Sequence, residues 1–549
     1  MEDTNKKVEI DHLEDLVGSD KSSFKQDLGK TAFVLDEAKD ATEAEHELTL
    51  SQALNFHKKA IFWAMVLAAT IIMEGYDNIL MTSFFGYPSF QKKYGVEIAP
   101  GEYQLTGPWQ VALGTTSSVG TIFGVFANGY LVETFGHRHV ILVSLIVMSA
   151  FIFIPFFAQN VETLVVGQVL CGLPWGVFAV MGPTYSSEVM PLKLRGYMTA
   201  YTNMCWAIGQ FIAAGVLKAL VNNTTEWSYR VPFAIQWVWP VPLFILTYLA
   251  PDSPWWLVRR GRHEDAAKAL KRLMSKEAHH KIPQQVSLMI HTNALEQAQH
   301  NARSDEEKGW RGYLQCFKGT NLRRTEIACV ALAGQVLSGS TFAYSPSYFF
   351  SQAGLNPDQV YALNLGVTGI SFSGCVVSWF LLNRFGRRRI YVTGYAILTT
   401  LLLVIGILAS PKQVGALKWV QSGVTIAWVA TYASTIGPLA FTISAEMSAT
   451  RLRAQSIALA RNAYNLCSLI SNVVEPYLIN PTEANLRGKT GFVWFGTALP
   501  TLIWAFFRLP ETKDRTFEEL DILFDRRVAA RKFSSTDVNI PSVELGESD

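Results

Sequence analysis

The chain alternates between long apolar stretches and shorter polar ones. The apolar stretches recur about twelve times, and many approach the roughly 20 residues that a helix needs to cross a bilayer. Several contain Gly, Pro and Ser, which membrane helices tolerate better than soluble helices do. The pattern predicts an all-α membrane protein with twelve transmembrane helices. The predicted spans are 59–82, 109–131, 139–158, 162–185, 196–220, 232–250, 326–350, 360–382, 390–409, 418–444, 453–478 and 490–508.

The polar stretches divide the chain into five parts. An acidic segment precedes the first span, a long basic segment follows the sixth, and a polar segment follows the twelfth. Segments this polar cannot bury enough apolar surface to fold alone. The exception is 262–300, where helical periodicity predicts short helices. We expect a disordered tail (1–58), a six-helix half (59–250), a central loop with short helices (251–325), a second six-helix half (326–509) and a second tail (510–549).

Lys and Arg residues indicate how the chain is oriented. They are concentrated in the connections after the second, eighth and tenth spans and in the long central loop, which all fall on one side if there are twelve spans. By the positive-inside rule this side is the cytoplasm, so both termini are expected there. The segment "NNTT" after the fifth span would then face outward, where Asn222 and Asn223 match the glycosylation pattern. Such triplets also arise by chance.

Composition excludes several classes of protein. Hydrophobic residues make up 49% of the 549 residues, charged residues only 17%, and the net charge is +2. The near-neutral charge argues against nucleic-acid binding. The six cysteines are scattered without a CxxC pair, and the chain has no HExxH, P-loop or GxSxG motif. We therefore expect no metal, no cofactor and no enzymatic activity.

Three signals recur in the same order, 250 to 259 residues apart. "GHRH" at 136–139 is matched by "GRRR" at 386–389, and the Glu188 and Arg195 pair by Glu446 and Arg453. "PDSP" at 251–254 is matched by "PETK" at 510–513. The chain is therefore predicted to consist of two parallel six-span halves. Such repeats are typical of transporters, whose binding site lies near the midplane between the halves.

Five motifs carry a family resemblance over nearly the whole membrane region. They are "GYLVETFGHR", "NRFGRRR", "SSEVMPLKLRG", "PDSPWWLVRRGR" and "PETKDRTFEEL". In this order they resemble the sugar porters of the major facilitator superfamily. The resemblance implies a major facilitator fold, a sugar substrate and transport by alternating access. "MEGYD", "LCGLPWGVF" and "LARNAYN" further resemble the fungal α-glucoside permeases, which are maltose-type proton symporters.

The resemblance also implies a cytoplasmic gate made of ion pairs. Two positions depart from the family pattern, because Glu133-Thr134 replaces an Asp-Arg pair and Asn383 replaces an aspartate. The gate is therefore expected to be weaker or differently arranged. We expect it to comprise Glu133, Arg138, Glu188, Arg195, Arg388, Glu446 and Arg453.

Two acids stand inside the first apolar span. Glu74 and Asp77 lie three residues apart in "MEGYDN" and therefore share a helix face. A charged residue at mid-membrane costs about 2.5–3.5 kcal/mol on insertion scales, so such residues usually face a partner or a pathway. Gly75-Tyr76-Asp77 matches a Gly-Tyr-Asp sequence of proton-coupled sugar porters, which implies that Asp77 carries the proton.

A cation for these acids must come from another span. Many relatives pair the acid with a fourth-span arginine, but that position is Gln168 here. Arg461, inside the eleventh predicted span, is a buried cation that needs a counter-charge. We expect it to join Glu74, Asp77 or both; binding to backbone carbonyls is the alternative.

The sugar site is expected to combine amides with aromatic faces, because sugars offer many hydroxyl groups and apolar C–H faces. By resemblance, Gln210 and Gln335 occupy sugar-contact positions. Several neighbouring positions carry smaller or less polar groups than the family pattern, which suits a sugar larger than a hexose. The expected binding residues are Gln168, Gln210, Gln335, Ser340, Thr341, Phe441, Asn462 and Asn465.

These observations predict an importer of an α-glucoside such as maltose, coupled to a proton. We expect a monomer in the plasma membrane, with sugar, proton and lipid as its partners. Two alternatives stay open from the sequence. The chain could be a facilitator that moves a hexose or another oligosaccharide without a proton, or a transporter-like sugar sensor.

Overall fold

The structure is a computed structural model. It describes residues 50–301, 311–343, 356–410, 415–448, 452–479, 484, 486–513, 515 and 517–536. All statements below concern these residues. The part of the first predicted tail before residue 50 lies outside them.

Helices occupy the described residues of all twelve predicted spans, and the all-α membrane fold is confirmed; residues 344–350 of the predicted seventh span lie outside the described residues. Spans one to six comprise Lys58–Phe84, Gly107–Phe135, His137–Phe157, Val161–Val189, Leu192–Leu220 and Trp227–Leu249. Spans seven to twelve comprise Gly319–Ala343, Pro357–Arg384, Arg387–Leu408, Gly415–Met447, Arg453–Ile479 and Thr490–Arg508. Across the two halves, the second span packs against the eleventh and the fifth against the eighth.

The eleventh span is polar for a membrane helix. Eleven helices in the described part of the chain are long and apolar enough to cross a membrane by length and composition, and Arg453–Ile479 is not among them. Its 27 residues include Arg461 and Glu475, which lower its hydropathy. A span that carries this much polarity must bury it within the bundle, since lipid offers no partners.

Within the described residues, the first, third, sixth, seventh and tenth spans are interrupted. The first breaks after Ala68, where the Thr70 hydroxyl donates to the Leu67 carbonyl at 2.7 Å. The sixth contains a 3-10 turn at Gln236–Val238, and the seventh breaks at Gly339, whose φ of +85° favours glycine. Such breaks free backbone groups and turn side chains toward the interior of a membrane protein.

The connection between the first two spans is structured. It contains the helix Pro88–Tyr94 and an antiparallel hairpin of strands β1 (Val96–Ala99) and β2 (Glu102–Gln104). Phe84 stacks on Phe90 with ring centroids 4.8 Å apart, and both side chains are fully buried. The sequence analysis did not predict these elements, because they are short and lie between longer apolar runs.

A second compact unit combines residues 50–58 with residues 254–301. Its helices are Leu50–Phe56, Pro254–Arg259, His263–Leu273 and Ile282–Asn301, with a 3-10 helix at Lys276–Lys281. Ala266, Ala269, Leu270 and Leu273 are buried on one helix face, as expected from the periodicity. The expectation of disorder throughout 1–58 is wrong for the described Leu50–Phe56, because this helix docks through Phe56, whose carbonyl accepts the Ser275 N–H at 2.8 Å.

We predict that acid loosens this unit. Burial, aided by the nearby charge of Lys281, lowers the pKa of His57 from 6.5 to about 4. His57 is therefore neutral in the folded unit at pH values where it is protonated in the unfolded segment. The free energy of unfolding is at its full value above pH 6.5 and falls as the pH drops toward 4. From the two pKa values, the free energy of unfolding at pH 5 should be about 2 kcal/mol lower than at neutral pH.

Hydrogen–deuterium exchange of residues 263–289 in the full-length protein tests this prediction. After correction for intrinsic rates, protection at about pH 5 should be weaker than at about pH 7.5. His57→Gln should remove most of that difference. Equal protection at both pH values in the unchanged protein would contradict the assignment to His57.

The described part of the predicted tail 510–549 contains folded elements, while residues 537–549 lie outside the described residues. A helix (Phe517–Asp525) and a 3-10 turn (Ala530–Lys532) pack on the bundle, with Phe524 and Phe533 buried. Arg324 of the seventh span binds Asp521, and its guanidinium lies 4.5 Å from the Phe524 ring centroid. The spacing of Leu520, Leu523 and Phe524 places them on one face of a helix, and the sequence analysis overlooked this pattern.

Candidate functional site

A buried ion pair joins the two halves of the bundle. The Arg461 guanidinium of the eleventh span binds the Glu74 carboxylate of the first span, and their side chains are only 7% and 12% exposed. Arg461 also lies 4.8 Å from the ring centroid of Tyr464 on its own helix. The cation predicted to need a partner thus binds the first of the two candidate acids.

Local helix geometry explains the position of Glu74. The first span resumes at Ile71 after its break, so Glu74 lies in the first turn of a new helix, where a negative charge is favoured. Gly75 follows, and a Cβ there would lie 2.2 Å from the Trp206 carbonyl of the fifth span. Only glycine permits this approach, so the acidic segment lies where the first and fifth backbones meet.

Asp77 lies in a different environment from Glu74. It is 3% exposed, and its Oδ1 accepts a hydrogen bond of 2.6 Å from Nε2 of Gln236 in the sixth span. Gln168 of the fourth span lies beside the same carboxyl group and is fully buried. Of the two acids, Arg461 binds Glu74, while amide side chains surround Asp77.

The predicted sugar-binding amides are all buried or half-buried between helices. Gln210 is 2% exposed and follows Gly209, at the close contact between the fifth and first spans. Gln335 is 3% exposed, and its Nε2 donates to the Gly437 carbonyl of the tenth span at 2.7 Å. The Gln335 amide thus fixes the seventh span to the tenth in this conformation, which is the interhelical role that amides often have.

The remaining predicted sugar residues lie around the seventh, tenth and eleventh spans. Phe441 and Arg461 line one cavity, together with Ala179, Pro183, Leu332, Ser444, Ala445 and Ile457. On the eleventh span, both amide atoms of Asn462 and Nδ2 of Asn465 are buried without a hydrogen-bond partner among the described residues. Thr341 accepts a hydrogen bond from Ser471, and Ser340 begins the short helix after the Gly339 break. Unpaired buried amides adjoining Arg461 are groups that a polar ligand can satisfy.

The same arrangement recurs at the end of the bundle that carries the basic loops. In the first half, Glu188 accepts a hydrogen bond from Ser253, and His137 Nε2 lies 3.6 Å from its carboxylate. In the second half, Glu446 accepts a hydrogen bond from Thr512. Its carboxylate lies 3.1 Å from the Arg387 guanidinium. Glu188 thus lies between the first residue of the third span and a hydroxyl group after the sixth. Glu446 lies in the same way between the first residue of the ninth span and a hydroxyl group after the twelfth.

Two arginines predicted for the gate contact neighbouring helices in this structure. Arg388 donates to the Leu509 and Phe506 carbonyls at 2.9 and 2.6 Å, and Arg138 lies 5.0 Å from the Tyr248 ring centroid. Successive helix residues point about 100° apart. The residue directly after Gly136 or Gly386 therefore faces the acid, and the next one faces the neighbouring helix.

The other expected gate residues have varied positions. Glu133 is exposed near the end of the second span. The side chains of Arg195 and Arg453 lie outside the described residues. Asp252 and Glu511 were missed, and they cap the third and ninth helices by accepting the N–H groups of Arg138 and Arg387 at 3.2 and 2.7 Å.

Two further buried polar residues escaped the sequence analysis. Gln236 is a lone amide in the apolar run "PFAIQWVWP". Glu475 is 5% exposed near the end of the eleventh span and accepts a hydrogen bond of 2.7 Å from Trp494. A polar residue inside an apolar span was the signal available for both.

The predicted glycosylation sites lie at the end of the bundle opposite the basic loops. Asn222 is exposed and donates to Asp358 Oδ1 at 3.3 Å, while Asn223 accepts from Thr225 Oγ1 at 2.7 Å. Their use as glycosylation sites stays a prediction.

Comparisons with known proteins agree with this geometry. The family model "Sugar (and other) transporter" matches residues 63–524. The chain is 35% identical over 543 residues to the general alpha-glucoside permease of Saccharomyces cerevisiae, covering 97% of this chain and 86% of that protein. It is 37% identical over 550 residues to the maltose permease MAL61 of Saccharomyces cerevisiae, covering 98% and 88%.

Solved structures support the fold. The proton:xylose symporter XylE, bound to 6-bromo-6-deoxy-D-glucose, has a TM-score of 0.71 at 18% identity, covering 85% of this chain and 100% of that one. An inward open conformation of XylE from E. coli has a TM-score of 0.59 at 18% identity, covering 84% and 99%. The architecture predicted from the sequence and these solved structures agree.

Proposed function

Since this chain belongs to the sugar transporter family of the major facilitator superfamily, we propose that it imports an α-glucoside such as maltose together with a proton. The observation that carries the proposal is the buried ion pair between Glu74 and Arg461, with Asp77 one turn away. Ionisable residues within membrane spans are costly and mark substrate or proton pathways. A passive scaffold would gain more from apolar residues at these positions.

The ion pair couples chemistry to motion because its two members belong to different halves. In alternating access the halves rock about the central site. Outside, Asp77 takes up a proton and the sugar binds the buried amides, including Gln210, Asn462 and Asn465. Occupation of these groups changes the free energy of holding Arg461 against Glu74, and the halves close over the sugar. The site then opens inward, and sugar and proton leave together.

The choice of an α-glucoside rests on the relatives. The permeases that are 35–37% identical over nearly the whole chain are named for alpha-glucosides and maltose. A disaccharide needs many hydrogen-bonding groups and an apolar ring face. The unpaired amides of Asn462 and Asn465 offer the first, and Phe441, which lines a cavity with Arg461, offers the second. In this conformation Gln335 Nε2 donates to the Gly437 carbonyl, so its second N–H and its Oε1 are the groups left for the sugar.

Orientation and location follow from the same reasoning. We assign the basic loops and both termini to the cytoplasm. We place the protein in the plasma membrane and expect it to be a monomer. At the cytoplasmic end of the bundle, the polar contacts around Glu188 and Glu446 stabilise the conformation in which that side is shut. An inward proton gradient is available at that membrane to drive accumulation.

Uptake by a yeast that lacks its own sugar carriers tests the proposal. Labelled maltose and labelled glucose would be supplied at acid and neutral pH, with and without an uncoupler. The proposal predicts maltose uptake that is faster at acid pH and collapses with the uncoupler. Uncoupler-insensitive glucose uptake would mean a facilitator, and no uptake of any sugar by surface-localised protein would favour a sensor.

We predict that Glu446→Gln weakens the shut cytoplasmic side. The change removes the charge that holds Arg387 and should favour the inward-open state by about 1.4 kcal/mol, which lowers initial uptake roughly tenfold. Labelling of a cysteine introduced at the inner end of the fifth span should become faster in the variant. Asp525→Asn, which alters an exposed acid after the twelfth span, is the control, and an equal effect of both changes would contradict the assignment.

A further inference from the structure

The carboxyl group of Asp77 is held by a residue that has no assigned part in transport. Gln236 donates its Nε2 to Asp77 Oδ1 at 2.6 Å, and the two residues are 2% and 3% exposed. Gln168, fully buried, lies beside the same carboxyl group. Two spans of the same half thus each place one amide beside this acid, and that of Gln236 is hydrogen-bonded to it.

The fold of the sixth span determines where Gln236 points. The helix Trp227–Ile235 gives way to a 3-10 turn at Gln236–Val238, and a new helix begins at Pro240. Proline has no N–H to continue the helical ladder, and a 3-10 turn rotates side chains relative to an α-helix. The break therefore turns Gln236 toward the first span.

Two contacts of Tyr76 hold the first span against this break. The Tyr76 hydroxyl donates to the Pro232 carbonyl at 2.9 Å, on one side of Gln236. Its ring lies 5.2 Å from that of Trp239, on the other side. The 2.6 Å bond between Gln236 and Asp77 is therefore part of a fixed junction between the first and sixth spans.

An amide suits a group that must be both charged and neutral during a cycle. A carboxylate needs donors, whereas a carboxylic acid also needs an acceptor for its O–H; an amide supplies both and a guanidinium only donates. A buried cation would also be left unpaired each time the acid took up a proton. Arg461 is bound to Glu74 instead, so protonation of Asp77 leaves that ion pair intact.

We propose that Gln236 is the positioning residue for the transported proton, with the Gln168 carbonyl as the acceptor once Asp77 is protonated. This inference rests on the proposed proton-coupled function. The other titratable groups that interact with Asp77 are Tyr76 on its own helix and Cys171 on the fourth span, while Glu74, one turn away, is bound to Arg461. None of these supplies the donor that Gln236 supplies.

The test is the pH profile of sugar uptake by Gln236→Met, which keeps the shape of the side chain and removes its hydrogen-bonding groups. Loss of the donor disfavours the carboxylate, so the pH of half-maximal uptake should rise by about one to two units. The maximal rate should fall, because the proton is released more slowly inside, and KM for the sugar measured at acid pH should change little. Gln421→Met removes another buried amide, on the tenth span, and should leave the profile unchanged.

The outcomes separate this inference from the proposed function. A pH-independent parent protein overturns the proposed function. A pH-dependent parent with an unchanged profile in Gln236→Met overturns only the role of Gln236. If the Met variant does not reach the membrane, Gln236→Asn replaces it, because asparagine is one methylene shorter and draws the amide away from Asp77. The pH profile should shift in the same direction. An unshifted profile in a surface-localised Gln236→Asn variant would also overturn the role of Gln236.

Discussion

Asp77→Asn is expected to abolish accumulation of the sugar against its gradient. Asparagine is isosteric with aspartate but cannot take up a proton, so coupling is lost while the site keeps its shape. Each 100 mV of proton-motive force supports roughly 50-fold accumulation for one proton per sugar. The ratio of internal to external sugar should fall from tens-fold to about one. The measurement is steady-state accumulation of a labelled, non-metabolised α-glucoside.

Counterflow distinguishes loss of coupling from loss of the protein. Cells or vesicles preloaded with unlabelled sugar should still exchange it for labelled sugar through the Asp77→Asn variant. Glu162→Gln makes the same chemical change at an exposed acid of the fourth span and should accumulate sugar like the unchanged protein. Accumulation by Asp77→Asn at the level of that control would remove Asp77 from the mechanism.

Arg461→Met is expected to destabilise the protein and to stop transport. The change leaves the buried Glu74 carboxylate without its cation, and breaking a buried ion pair in this way costs about 3–5 kcal/mol. The apparent melting temperature of the detergent-solubilised protein should fall accordingly. Maltose uptake should fall below one hundredth of the normal rate, because the charge that links the halves is lost.

A double variant separates stability from transport. Glu74→Gln combined with Arg461→Gln removes both charges together, so most of the lost stability should return while transport stays absent. Asp358→Asn breaks the ion pair with Lys218, which also joins the two halves but is far more exposed, and should lower the melting temperature far less than Arg461→Met does. Normal transport by the double variant would show that the buried pair has no part in the cycle.

The sequence predicted those features that are forced by the bilayer. Apolar runs of membrane length located all twelve spans, because a backbone in lipid must form helices. The need of a buried cation for a counter-charge brought Arg461 to Glu74 across 387 residues of sequence. The alternative, binding of Arg461 to Asp77, could not be excluded beforehand, since the two acids share a helix face.

Other features depend on small rotations and local breaks that no periodicity reveals. Whether Arg387 or Arg388 faces Glu446 is decided by the residue at which the ninth helix begins. The bond from Gln236 to Asp77 depends on a 3-10 turn of three residues. The helix Phe517–Asp525 is different, because its apolar spacing was present in the sequence; only its contacts with Arg323 and Arg324 required the structure.

The most direct test of the central claim is proton movement itself. Maltose would be added to lightly buffered, energy-depleted cells that express the protein, and the external pH would be recorded. We expect an immediate alkalinisation, with about one proton taken up per maltose, that is absent from cells with Asp77→Asn. Maltose entry at the normal rate without alkalinisation would contradict the account and would make the protein a facilitator.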